Sequence, residues 1–110
     1  MNITELGCIG HCIIGADCRW RRHTQVGDNI RISTIGDYLF DNTLKTVGAG
    51  DKDFFETMVF KTVESLAEDS NGCGCHEVTD WGELECVRYV TAGEAQLGHE
   101  EMIRKYSDSP

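Results

Sequence analysis

The chain is poor in proline, in positive charge and in long apolar runs. It holds one proline and scattered glycines in 110 residues, which excludes collagen-like and low-complexity architectures. Ten lysines and arginines stand against 19 aspartates and glutamates, a balance that would repel nucleic acid. No run approaches the roughly 20 apolar residues that span a bilayer, so no membrane partner is expected. Residues 1–6 carry Glu5 and no basic side chain, and the stretch 9–16 is broken by Gly10, His11, Cys12 and Gly15. A secretory leader is therefore not expected, and a reducing cytoplasm is the default compartment.

Catalytic signatures are missing as well. Neither Gly-x-Ser-x-Gly nor His-Glu-x-x-His occurs. Gly48-Ala49-Gly50 is followed by Asp51, without the lysine and hydroxyl of a phosphate loop. A nonenzymatic protein is the expectation.

Cysteine, by contrast, is plentiful. Six cysteines fall mainly in two clusters, Cys8, His11, Cys12 and Cys18, then Cys73, Cys75 and His76, with Cys86 downstream. A structural zinc needs four thiolate or imidazole ligands, presented as close pairs. Cys8 and Cys12 with Cys73, Cys75 or His76 form the candidate set, flanked by turn-permitting glycines. The spacings are not Cys-x-x-Cys, so free or partly buried thiols are the competing reading. Cys86 lies between Glu85 and Val87 and reads as a buried small hydrophobe.

Charge is divided along the chain. Residues 1–36 are nearly balanced, whereas residues 37–110 carry six basic and sixteen acidic side chains, for −9 overall. Glu64, Glu68, Asp69, Glu77, Asp80, Glu83 and Glu85 follow one another without a basic residue between them. Such a surface suits a basic partner, or serves as a solvated, solubilising face. The basic patch is Arg19, Trp20, Arg21, Arg22 and His23. In an extended stretch Arg19, Arg21 and His23 share one face and Trp20 and Arg22 the other. Arginines beside an aromatic can grip a small anionic ligand such as a nucleotide, or neutralise the chain's own acids.

One domain over residues 1–110 is expected, with a Cys/His-rich segment at 1–18 and an irregular Cys-Gly-Cys insertion at 69–82. Thr91 and Glu94 form a capping box, and Ala92, Ala95, His99, Met102, Ile103 and Tyr106 follow on one helical face. A helix over about 92–106 results, with His99 as a core histidine that has a hydrogen-bond partner. Residues 84–90 read as a strand. Gly27-Asp28-Asn29 joins hairpin arms at 21–26 and 30–35, the second a half-buried strand. Residues 40–53 read as a long loop or hairpin tip. Periodicity over 53–68 fits a strand with Phe54, Met58 and Phe60 on one face. It fits equally a helix with Phe55, Met58, Val59, Thr62, Val63 and Leu66 aligned.

The order of Arg31-Ile32-Ser33-Thr34, Phe55-Glu56-Thr57-Met58-Val59-Phe60, Arg88-Tyr89-Val90-Thr91, Glu94-Ala95 and Gly98-His99-Glu100 resembles a group of short proteins of bacteriophages and prophages. There a VSTV strand, an FETMVF strand and a terminal EA..GH helix recur, sometimes with a Cys-Gly-Cys insertion. The likeness covers about residues 20–106. It departs where Gly36-Asp37-Tyr38 replaces a tryptophan and a Leu-Asp-His sequence. The resemblance implies a phage accessory protein and favours a strand over 54–60; with the cytoplasmic default above, the host cell's cytoplasm is the expected location.

The fold expected is α+β: a small antiparallel sheet of three or four strands with the C-terminal helix packed on it. The function expected is binding, with inhibition of a host defence or host-takeover target as the specific form. A nucleotide sponge and a zinc-stapled virion component are the alternatives.

Overall fold

The computed structural model describes residues 3–6, 21–36, 38–40, 43–45, 55–66 and 76–107. They form β1 (Ile3–Leu6), β2 (Arg21–Val26), β3 (Ile30–Ile35), β4 (Tyr38–Phe40), β5 (Thr43–Lys45), β6 (Phe55–Leu66), β7 (His76–Tyr89) and α1 (Ala92–Ser107). Five strands make one sheet in the order β1-β2-β3-β6-β7, and β4 and β5 pair separately. Every pairing is antiparallel. The α+β architecture with a C-terminal helix on a sheet is therefore present, with five strands rather than three or four.

The additional strand is β1, whose four residues are too short to show a pattern by themselves. The hairpin of β2 and β3 turns where the sequence places it. Gly27 has φ 61°, a conformation that glycine adopts without steric cost. Thr62 holds this turn by donating its hydroxyl to the Asp28 carbonyl at 2.8 Å and its amide to the Asn29 carbonyl at 2.7 Å. Residues 55–66 are strand, because β6 finds a partner on each side, β3 and β7.

Two strand expectations need correction. The insertion expected at 69–82 is strand from His76 onward, and residues 69–75 lie outside the described set. Here β7 advances from Asp80 to Glu85 while β6 advances only from Val59 to Lys61. Such a bulge lets Gly82 sit within a continuous strand. Nor is β3 half-buried: Arg31 to Ile35 are all buried. It is the middle strand, so Arg31 and Ser33 lie between Gln25 and His23 on one side and Phe60 and Met58 on the other.

The helix begins as its capping box dictates. Glu94 N donates to Thr91 Oγ1 at 3.1 Å, and Thr91 N donates back to Glu94 Oε1 at 3.1 Å. Ala95, His99, Met102 and Ile103 are the buried face; Ala92 is exposed and Tyr106 half-buried. Met102 and Ile103 join Val26, Ile32 and Val59 in the core. Burying a side chain of this size contributes about 1.5–3 kcal/mol.

That core is small, and a polar chain completes it. His99 is fully buried, with Nε2 at 2.7 Å from Thr24 Oγ1 and Nδ1 at 2.6 Å from Thr34 Oγ1. Thr24 donates to Glu5 Oε1 at 2.7 Å, and a carboxylate can only accept. Thr24 must then accept from His99, which fixes the neutral imidazole with its proton on Nε2. Thr34 donates to Nδ1 and accepts from Thr57, 2.6 Å away. Donation thus runs from Thr57 through Thr34, His99 and Thr24 to Glu5, joining β6, β3, α1, β2 and β1. Arg22 closes the end, donating to Glu5 at 2.7 Å and to Glu100 at 2.5 Å. Burial works to raise the Glu5 pKa, but the bonds from Arg22 and Thr24 outweigh it and hold the carboxyl below its ordinary range.

Burial, reinforced by the Arg22 charge, pushes His99 down to about 4, and burial with the Arg31 and Arg21 charges does the same to His23. An unfolded chain takes up both protons near the ordinary histidine value of 6.5; the folded chain resists. Stability is therefore full above pH 6.5 and falls between pH 6.5 and 4, by about 3 kcal/mol for each histidine. Chemical denaturation across that range should show the decline. Thr34→Val, which leaves Nδ1 unsatisfied, should cost about 2 kcal/mol at neutral pH by the same measurement.

Candidate functional site

The sheet ends at β7, whose outer edge pairs with no strand among the described residues. Exposed apolar side chains stand on this strand and on the helix after it, Val87 on the side of α1 and Leu84 with Cys86 on the opposite face. Leu84 is 50 % exposed, Val90 46 % and Leu97 68 %, with Val87 also open. Between β7 and α1 lies a depression of about 330 Å³ lined by Glu85, Val87 and Tyr89 on the strand and Gly98, Glu101, Met102 and Lys105 on the helix. Glu83 and Glu101 are exposed beside it. An acidic and apolar groove beside an unpaired strand edge can hold a basic, partly apolar segment, and can accept strand addition.

Local chemistry shapes the groove. Gly98 is required because a methyl at that position would overlap the Tyr89 ring. Glu85 receives the Lys105 ammonium and the Tyr106 hydroxyl, the latter at 2.7 Å. These bonds lower the Glu85 pKa, while burial and then Glu85 push the Tyr106 phenol up to about 12. One of the predicted acidic contacts is thus held within the molecule.

The remaining predicted residues divide. Arg21 and Arg22 project to opposite faces, as the alternation predicts. Arg22, on the helix side, is held by Glu5 and Glu100, so it neutralises the chain's own acids. Arg21 is half-buried on the other face with His23. Arg19 and Trp20 lie outside the described residues. Glu64 and Glu83 are exposed, Glu77 and Asp80 stand on β7, and Glu68 and Asp69 lie outside the described residues. The candidate zinc ligands Cys8, Cys12, Cys73 and Cys75 lie outside them too, and His76 opens β7 opposite Leu66. Among the described residues no group of three or more His, Cys, Asp or Glu side chains is placed to hold a metal.

Cys86 departs from expectation. It is exposed rather than buried, because it lies on the edge strand and faces away from α1. Partial burial and the Glu56 carboxylate raise its pKa, so the thiol stays protonated at neutral pH and is a poor nucleophile.

Sequence reasoning passed over Glu5, Glu56, Thr24 and Gln25 on β2 and Thr34 on β3 as polar contacts. Glu56 is buried and takes Arg88 Nε at 2.8 Å across the β6–β7 pair. An alternating pattern with a carboxylate at an inward position was the available signal. No family model, curated protein or solved structure matches the chain.

Gly98→Ala should force Tyr89 outward and cost about 1–3 kcal/mol as an overpacked contact. In a Tyr89→Ala background the same change should be neutral or stabilising by up to about 1 kcal/mol, since alanine is the better helix former. Thermal denaturation of the four-member cycle measures the difference.

Proposed function

We propose that this protein is a phage accessory protein that acts by binding, and that its β7–α1 edge covers a basic surface on a host protein. Inhibition of a host defence or takeover target by occlusion is the specific form. The observation that supports it best is the exposure of Val87 and Leu97 beside a strand edge that no described strand pairs. Exposed apolar side chains gathered together mark contact surfaces. The net charge of −9 selects a cationic partner and speeds encounter. Exposed Glu64, Glu83 and Glu101 supply carboxylates for it, whereas Glu85 contributes to the fold.

The host cytoplasm is the compartment this reading requires. No described helix is long and apolar enough to cross a membrane. The alternative of a zinc staple on Cys8, Cys12, Cys73, Cys75 and His76 competes with free thiols; stoichiometric zinc in the purified chain, lost with a chelator together with thermal stability, would select the staple, and a full count of titratable thiols without metal would select the free form.

Affinity capture from host lysate tests the binding reading. The wild-type chain should retain a defined protein at low salt and release most of it at high salt, because rim charges are screened. Val87→Arg with Leu97→Arg should abolish retention while leaving the thermal transition unchanged. Equal retention by the double variant, or no specific protein at low salt, would overturn the assignment.

A further inference from the structure

The two edges of the five-stranded sheet are guarded differently. β1 closes one side with four residues, and a strand that short offers little to pair with. β7 closes the other with 14, and no described strand lies against its outer side. On an open edge, alternate residues turn an unmet N–H and C=O outward, a template for another strand. Charged side chains commonly protect such edges. Here Glu85 is turned to Lys105 and Tyr106, and Arg88 to Glu56, so both charges are satisfied within the chain.

The stretch that can pair is bounded at each end. From Glu85 to Tyr89, β7 follows β6 residue for residue. The bulge interrupts the ladder before Glu85, and the helix cap at Thr91 ends it on the other side. Val87 is the midpoint of this regular stretch. The exposed apolar residues are symmetric about it, with Leu84 three positions before and Val90 three after.

Two copies pairing antiparallel about a two-fold axis at Val87 would set valine against valine on the helix side. The same axis sets Leu84 of each copy against Val90 of the other. Glu85 then meets Tyr89 and Arg88 meets Cys86, so no like charges stand opposite. Other centres in the regular stretch lose this match. A centre at Glu85 or Arg88 opposes like charges, and one at Cys86 or Tyr89 sets Arg88 against an apolar side chain.

We propose that this chain forms a two-fold dimer in which the β7 strands pair antiparallel about Val87, joining the two sheets into one. The axis stands perpendicular to the sheet, so both helices lie on the same face. Pairing uses main-chain groups in the plane of the sheet and leaves each β7–α1 groove open above it. The dimer therefore goes beyond the docking reading, and a host protein would meet the grooves rather than add a strand.

Sedimentation equilibrium of the purified full-length chain should give twice the mass of one chain at high concentration. Association should strengthen as salt is raised, because each copy carries −9 and screening weakens their repulsion. Host capture has the opposite salt dependence, so either reading can fail alone.

Leu84→Lys and Val90→Glu, each alone, should weaken the dimer at least about tenfold at one fixed ionic strength, since each spoils two symmetry-related pairs. Combined in one chain, they place lysine opposite glutamate twice and should recover most of that loss. The two positions lie about 20 Å apart along a single strand, too far to pair within one chain, so recovery reports the register. Both side chains are about half exposed, and thermal melts of dilute protein check that each variant folds. A single-chain mass at every concentration and salt would overturn the proposal. So would a dimer indifferent to both single substitutions, or a double variant no stronger than either.

Discussion

A single directional rule organises the interior: the carboxylate of Glu5 accepts hydrogen bonds and cannot donate them. Once Thr24 gives its proton there, each partner further in has its role assigned, and His99 is left with one tautomer. Five secondary-structure elements are thereby tied to one another through side chains. A helix whose apolar face is only a few residues wide would slide on a sheet if packing were its sole constraint. Here the imidazole inserts between two threonines and sets both position and rotation. Replacing threonine by valine at such positions conserves volume and breaks the chain, which is why the two residues are not interchangeable in a core.

Much of this was readable from local signals. The β2–β3 hairpin is specified by a turn glycine between alternating arms, and the helix start by reciprocal bonds between Thr91 and Glu94. His99 as a partnered core histidine followed from its place on the buried face of α1. What escaped detection depends on distant partners. Phe55, Met58, Val59 and Thr62 fit two periods equally well, and only neighbours on both sides select the strand. β1 has four residues, and its place at the sheet edge is held by Glu5 meeting Arg22 and Thr24. The burial of Arg31 and Ser33 could not be read from polar letters that ordinarily face water.

The candidate sites show the same division. Alternation correctly separated Arg21 from Arg22, yet whether an arginine is available depends on which carboxylates the fold brings to it. Glu5 and Glu100 are 17 and 78 residues away from Arg22. Likewise Glu85 belongs to an acidic run in sequence and to an internal ion pair in space. Net charge describes the molecule as a whole; the carboxylates that remain exposed set what it presents to a partner.

The uneven advance of β7 past β6 divides that strand pair into two halves of different character. Phe55 to Val59 pairs residue for residue with Glu85 to Tyr89, and α1 is mounted directly on this regular half. Beyond it the ladder already tolerates unequal lengths on its two sides. Insertions or deletions arising there would be absorbed by the slack and would not turn inward-facing side chains outward near the helix. Beyond Thr62, which the β2–β3 turn ties down, the distal part of the β6–β7 pair is thus free to diversify in length and sequence, while the half under the helix holds its frame.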